Sequence, residues 1–385
     1  MCAKAEPRRI CFVSAYFPPH MGGVENFTYY LSTALSKLGC SITVLTCNYS
    51  SLPDMEQISD SITVHRIPSR DIGKRFPAIR KCSKTDEILS KINGMHFDSV
   101  IVNQRFYPLC TIGMKIAQDQ GLRPIVIEHG SSYLTIGNKA ADLIIRRYEK
   151  AVTKRALQYQ PVFYGVSLRA AESLRERFGI SPAGVIHNSI DGEAFRKEAS
   201  DRSFRSEFGI PEQSAIVAFT GRLVREKGIW KLHEACRLLS NEANAPHFIL
   251  AGEGPEEAGL RKEFLPNLHL TGRLARNDVS ALLKEADIFC LPSDSEGLAT
   301  SLLEAAVSDA YIVTSDVGGA RDVIPDDHCG TILDKPSPDD LARAIKECSK
   351  ELDATKQRAA ACRRHVEENL SWEAAARQVL AICDA

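Results

Sequence analysis

Two glutamates stand eight residues apart in Glu296-Gly297-Leu298-Ala299-Thr300-Ser301-Leu302-Leu303-Glu304. At that spacing two carboxylates can accept hydrogen bonds from hydroxyls at two places along one ligand. The residues between them pass from loop into helix, where free backbone N–H groups and the helix dipole suit a phosphate. Hydroxyls, phosphate and hydroxyls again are the layout of a nucleoside diphosphate sugar. A second group, Gly221-Arg222-Leu223-Val224-Arg225-Glu226-Lys227-Gly228, places Arg222 and Lys227 where both can converge on an anion held at the start of the next helix. Arginine offers a fork to two oxygens and lysine a compact charge. Alone, either group reads as solvated surface; together they read as a site.

The elements that must position these residues are legible around them. Ile288–Leu291 has the length and composition of a buried parallel strand, and Pro292-Ser293-Asp294-Ser295 is loop chemistry. Leu302, Leu303, Ala306 and Val307 fall at helical spacing, with Thr300 or Ser301 as the expected N-cap. Glu296 is therefore expected at a loop tip on the carboxyl edge of a sheet, where open α/β sheets bind ligands, and Glu304 about one turn into the helix. Strands and helices alternate on both sides of this region. Arg9–Ser14, Ser41–Thr46, Ile62–Ile67, Ser99–Val102, Pro124–Glu128, Val162–Val166 and Gly184–His187 form a first run. Ala215–Thr220, Phe248–Ala251, Leu268–Thr271, Ile288–Leu291, Tyr311–Thr314 and Thr331–Leu333 form a second. Each run predicts a doubly wound parallel sheet. The charged, Ser-rich stretch Arg196–Ser206 reads as the linker between them.

Bulk properties exclude several other classes. The 385 residues, 44% hydrophobic and 25% charged, suffice for two domains with their own cores. A net charge of −1 argues against wholesale nucleic-acid binding. No apolar run approaches the roughly 20 residues of a membrane span, and the amino terminus lacks a signal-peptide core. The 12 cysteines are scattered singly without metal-ligand spacing, which predicts a reduced, cytoplasmic protein without structural zinc.

With Gly22-Gly23 opening the first helix and Gly252-Glu253-Gly254-Pro255 following a strand, these segments resemble the retaining glycosyltransferases of family 4 over nearly the whole chain. The Glu296–Glu304 stretch matches that family's E-x7-E motif, and Gly221–Gly228 matches its G-R-x-x-x-x-K-G segment. The resemblance implies the GT-B fold, two Rossmann-like domains facing a central cleft. Residues 1–192 with a returning 371–385 would bind the acceptor, and residues 193–370 the nucleotide sugar. It implies that Arg222 and Lys227 hold the donor diphosphate without a metal or cofactor, and that Gly22 and Gly23 contact it. Glu304 would take the ribose, Glu296 and His129 the transferred sugar, and Gly252, Leu274, Gly297, Leu298, Ala299 and Thr300 would line the donor site. His129, Glu296, Arg222 and Lys227 would carry the chemistry, with no protein nucleophile. A UDP-sugar is the implied donor, with GDP-mannose the competitor. Polysaccharide, lipopolysaccharide or glycolipid assembly is the implied setting, with a carbohydrate or lipid-linked acceptor. Ser189, Asp309 and Tyr311 depart from the family pattern at scaffold positions.

Two basic segments remain. Residues 70–84 hold Arg70, Lys74, Arg75, Arg80, Lys81 and Lys84 around Phe76 and Ile79. Residues 139–158 set Arg146, Arg147, Lys150, Lys154 and Arg155 opposite Leu143, Ile144, Ala151 and Leu157. Solvated helix faces are one reading and peripheral contact with an anionic membrane is the other. The rival functional readings are a catalytically silent nucleotide-sugar-binding or scaffold protein, a glycosidase using Glu296 and Glu304, a phosphorylase of similar fold, and a Rossmann oxidoreductase. The last lacks the dinucleotide fingerprint.

Overall fold

The first strand, β1 (Arg9–Val13), shows how the amino-terminal half is built: successive side chains alternate across it. Ile10 and Phe12 enter one apolar cluster with Phe27, Leu31 and Leu35, while Cys11 and Val13 enter another with Leu109 and Met114. A sheet buried on both faces follows. In this computed structural model, which describes residues 6–20, 22–72, 76–130 and 139–384, its strands are β1, β2 (Ser41–Asn48), β3 (Met55–Ser59), β4 (Ile62–Ile72), β5 (Phe76–Ile79), β6 (Ser99–Asn103), β7 (Ile125–Glu128), β8 (Val162–Gly165) and β9 (Gly184–Val185). Their order is β3-β4-β2-β1-β6-β7-β8-β9, with β5 paired to β4. The pairs from β4 through β9 along this order are parallel, and β3 and β5 both run antiparallel to β4. The extension over β3 and β5 was not foreseen. Met55–Ser59 is almost wholly solvent-exposed, so it lacks the apolar signal of the central strands.

Residues up to Asn188, joined by Trp372 onward, form one unit, and Ser189–Ser371 form the other. The carboxyl-terminal helix Trp372–Cys383 packs on helix Gly23–Lys37 of the first unit. Trp372 stacks on Tyr30 at 5.6 Å, and Ala376 and Val379 are buried with Phe27.

The second unit has strands β10 (Ile216–Thr220), β11 (His247–Ala251), β12 (Leu268–Gly272), β13 (Ile288–Leu291), β14 (Tyr311–Ser315) and β15 (Gly330–Leu333), in the order β12-β11-β10-β13-β14-β15. Every neighbouring pair is parallel. The order turns back at β10, which pairs with β11 on one side and β13 on the other. Both units are therefore parallel-sheet α/β domains, the GT-B type expected. Arg196–Ser206, in contrast, is no linker. Helices Gly192–Lys197 and Phe204–Glu207 cover the second unit, with Phe195 and Phe204 fully buried. The two aromatic residues that seat this stretch were outweighed in the sequence by its charged and Ser-rich neighbours.

Free thiols are buried in both units: Cys11, Cys47 and Cys110 in the first, Cys236, Cys290 and Cys362 in the second. Burial pushes Cys11 and Cys47 up to about 12, and raises the other four further in the same direction. Among the described residues no helix is long and apolar enough to cross a membrane.

Candidate functional site

The reversal of strand order at β10 and β13 sets the position of the site in the second unit. Adjacent parallel strands present their carboxyl ends side by side, so the loop after β10, with Arg222 and Lys227, lies beside the loop after β13, with Glu296. The amide of Asp294 donates to Glu226 O at 2.8 Å and fixes the two loops to each other. Lys227 Nζ then reaches Glu296 Oε1 at 2.5 Å, and Ser293 Oγ donates to the same oxygen at 2.6 Å. The lysine is a quarter exposed and the glutamate one-ninth exposed, so this ion pair is shielded from bulk water. Lys231 Nζ pairs with Asp294 Oδ1 at 2.7 Å. Arg222 is exposed, and its side chain has no hydrogen bond or ion pair among the described residues.

Gly228 is what allows the loops to approach this closely. Its φ is +69°, and a Cβ there would lie 2.0 Å from Pro292 O. The loop after β11 is held in turn, because Leu223 donates to Glu253 O at 2.9 Å and Glu256 to Leu223 O at 3.2 Å. Gly252 donates to Gly272 O at 2.8 Å, and Gly319 to Gly297 O at 2.7 Å. Backbone bonds thus tie Gly252, the Gly221–Gly228 loop and Gly297 into one rim. Leu274 is partly buried against the core beside it.

Helix Thr300–Val307 begins at Ala299, which serves as N-cap with no side-chain bond. Neither Thr300 nor Ser301 caps it; both are helical. Its first N–H groups consequently have no side-chain cap, as an anion site requires. Leu298 is buried, and Thr300 is exposed at the helix start. Glu304, with its side chain 18% exposed, lies 4.0 Å from Arg276. Arg276 is bonded at 2.5 Å to Glu198 and lies over the Phe195 ring. Burial pushes Glu304 up to about 7; Arg276 opposes this and Glu198 reinforces it. The folded state keeps the Glu304 proton up to that pH, whereas the unfolded chain releases it near 4.5. Stability from this group is full below about 4.5 and lost as pH rises through about 7. Glu304→Gln is therefore expected to stabilise the protein by on the order of 2–3 kcal/mol at pH 8 and hardly at all at pH 4. Denaturant unfolding at the two pH values measures it, and equal shifts at both would contradict the assignment.

The first unit holds the remaining expected residues. Gly22 is the N-cap of helix Gly23–Lys37 and makes no side-chain cap. Glu25, buried in its first turn, lies 3.0 Å from His20 and close against Gly22. That carboxylate was overlooked in the sequence, although it sits only three residues beyond Gly22. His129 follows β7 and is bonded through Nε2 to Asn103 Oδ1 at 3.0 Å. Phe27 meets the ring edge-on at 4.8 Å, and burial pushes the imidazole down to about 3, so it is neutral. Arg105, nearly fully buried, pairs with Glu128 and with Glu149 at 3.6 Å, and bonds Thr153 at 2.9 Å.

Arg105 ties helix Lys139–Ala156 down by a polar face. The apolar face expected to be buried is exposed instead: Leu143 is 59% and Ile144 70% accessible. Residues 70–84 form no single helix face. They comprise the end of β4, β5 and the start of helix Ser83–Asn93, with Lys74 and Arg75 outside the described residues.

Residues 21–194 match the model of Glycosyltransferase Family 4, and residues 200–378 that of Glycosyl transferases group 1. A phosphatidylinositol N-acetylglucosaminyltransferase from Arabidopsis thaliana is 28% identical, over 89% of this chain and 75% of its own. The sucrose-phosphate synthase structure from Thermosynechococcus elongatus superposes with a TM-score of 0.71 at 17% identity, covering 97% of this chain and 98% of that one. Anabaena HepE in complex with UDP gives 0.71 at 15% identity, covering 98% and 99%.

Proposed function

The chain belongs to the family 4 glycosyltransferases of GT-B fold, and on that premise we propose that it moves a sugar from a UDP-sugar to an acceptor hydroxyl with retention of anomeric configuration. The observation that carries this reading is the Lys227–Glu296 pair on the loops after β10 and β13, a cation beside the sugar-side carboxylate at the strand-order reversal. The anomeric C–O bond breaks toward the diphosphate, whose growing charge Lys227 and Arg222 neutralise. The acceptor oxygen bonds to the anomeric carbon on the same face, and its proton passes to the departing phosphate oxygen. Glu304 accepts from the ribose hydroxyls, and Glu296 and His129 hold the sugar. Glu25 lies over Gly22, which favours a hydroxyl-bearing group there over a second phosphate.

The diphosphate is held without a divalent metal in this reading. Its support is that Asp294 and Glu296, the carboxylates nearest to a metal-binding pair, are each already bonded to a lysine. UDP is supported by the HepE complex, and the N-acetylglucosaminyl group by the name of the Arabidopsis relative. The test is a thermal-shift panel of UDP- and GDP-sugars, followed by slow hydrolysis of UDP-N-acetylglucosamine with and without EDTA. Stabilisation by a UDP-sugar and hydrolysis indifferent to EDTA are expected. Binding without hydrolysis or transfer would point to the silent binding protein, and activity restored only by manganese would sink the metal-free reading.

A lipid-linked acceptor met at a membrane surface in the cytoplasm completes the proposal. Leu143 and Ile144 are exposed on the same helix as exposed Arg146, Arg147, Lys150, Lys154 and Arg155. Apolar insertion beside basic charge suits an anionic bilayer. Leu143→Asp with Ile144→Asp is expected to cut co-sedimentation with phosphatidylserine vesicles about tenfold or more, while donor hydrolysis stays unchanged. Undiminished sedimentation would remove this contact from the proposal.

A further inference from the structure

His129 is not merely buried beside Asn103; the chain of hydrogen bonds behind Asn103 has a direction. Thr28 Oγ1 lies 2.7 Å from Val24 O, a carbonyl that can only accept, so Thr28 gives its single proton there. A second contact of Thr28 with Ser14 Oγ is longer, at 3.4 Å, and Ser14 itself donates to Tyr16 O at 2.8 Å. Thr28 Oγ1 is left as an acceptor toward Asn103, 2.8 Å away, so the amide NH2 of Asn103 must face it. The amide oxygen then faces His129, and only a protonated Nε2 can bond to it at 3.0 Å. Ser14, Thr28 and Asn103 are all essentially inaccessible to water, which leaves this chain no solvent route to reverse itself.

We propose that Asn103 is a positioning residue for the donor sugar: it holds His129 as the Nε2–H tautomer and leaves Nδ1 as an acceptor for a sugar hydroxyl. This rests on the reading of His129 as a sugar contact and adds which nitrogen meets the sugar and in which role. Among the described residues Nδ1 has no partner. Because the imidazole stays neutral, Nδ1 accepts rather than donates across the working pH range. The sheet register makes the contact possible. Asn103 ends β6 opposite Ile127 of β7, and His129 lies two residues farther along the neighbouring strand. The histidine is thus oriented by the adjacent strand, with no help from sequence proximity.

The test begins without any substrate. In the full chain labelled with 15N-histidine, long-range 15N–1H spectra at pH 7 report the tautomer of each ring, and His129→Gln identifies the His129 signals. A pyridine-like Nδ1 and a pyrrole-like Nε2 are expected. Thr28→Val removes the acceptor that orients the amide at almost constant volume, and Asn103→Leu removes the amide; both are expected to give a mixed or inverted tautomer. Asn103→Asp keeps an acceptor facing Nε2 and is expected to retain Nε2–H. In UDP-N-acetylglucosamine hydrolysis, Thr28→Val and Asn103→Leu are expected to lower kcat/KM about tenfold, as for one lost hydrogen bond, with Asn103→Asp nearer wild type. A proton on Nδ1 in the wild type, or identical spectra in wild type and Thr28→Val, overturns the inference whatever the donor is. The expected tautomer in a protein that neither binds nor hydrolyses any nucleotide sugar overturns instead the transferase reading beneath it.

Discussion

Lys227→Ala is expected to lower turnover by about 10²–10³, the effect of removing one preorganised stabiliser of developing charge. The same change should also cost stability, because Glu296 is only 11% exposed and loses its cation. A shielded pair broken on one side costs more than a surface pair, here on the order of 1–3 kcal/mol. The two effects separate cleanly in a pair of further variants. Lys227→Ala combined with Glu296→Ala should recover most of the stability and none of the turnover. Arg222→Ala should lose turnover to a similar degree with an unchanged melting temperature, since the Arg222 side chain is exposed and makes no hydrogen bond or ion pair among the described residues. Donor hydrolysis and thermal unfolding of the set measure both. Near-wild-type turnover in Lys227→Ala would refute the role given to that side chain.

Gly228→Ala is expected to be the most damaging single-methyl change on the rim. At φ +69° an alanine carries about 1–2 kcal/mol of left-handed strain. Its Cβ would also stand 2.0 Å from Pro292 O, a backbone atom that yields only if the loop to Glu296 moves. A total loss on the order of 3 kcal/mol follows, roughly a 10 °C fall in melting temperature for a unit of this size. Gly209→Ala supplies the control: φ is +61°, but nothing lies within 4 Å of the added methyl. It should show the strain alone, about 1–2 kcal/mol. If both variants melt together, the contact with Pro292 is not what the glycine serves.

How far the site could be read from the sequence follows from the range of each signal. The α/β alternation, the strand before Glu296 and the helix carrying Glu304 are local patterns, and they stood where expected. Lys227 and Glu296 were each nominated, but their contact was not foreseen. It depends on β10 pairing with β13 across the reversal in strand order, which hydrophobic periodicity does not encode. Asn103 and Arg276 carry no local mark at all. Each matters through a partner on another element, His129 in one case and Glu304 in the other. Helix Lys139–Ala156 misled the reading for a related reason. Its burial is set by Arg105 gripping Glu149 and Thr153, so the polar side faces inward. The charged stretch after Arg196 misled it because Phe195 and Phe204 outweigh many solvated charges once packed.

The buried sulfhydryls give each half of the chain its own reporter. A thiol held far above its ordinary pKa and sealed from solvent reacts with an alkylating reagent only while its surroundings are open. Cys11, Cys47 and Cys110 therefore time the opening of one sheet, and Cys236, Cys290 and Cys362 that of the other. Pulsed labelling read by mass spectrometry would show a bound nucleotide slowing modification of the second trio before the first, so the native protein can report which half grips its ligand without any engineered probe.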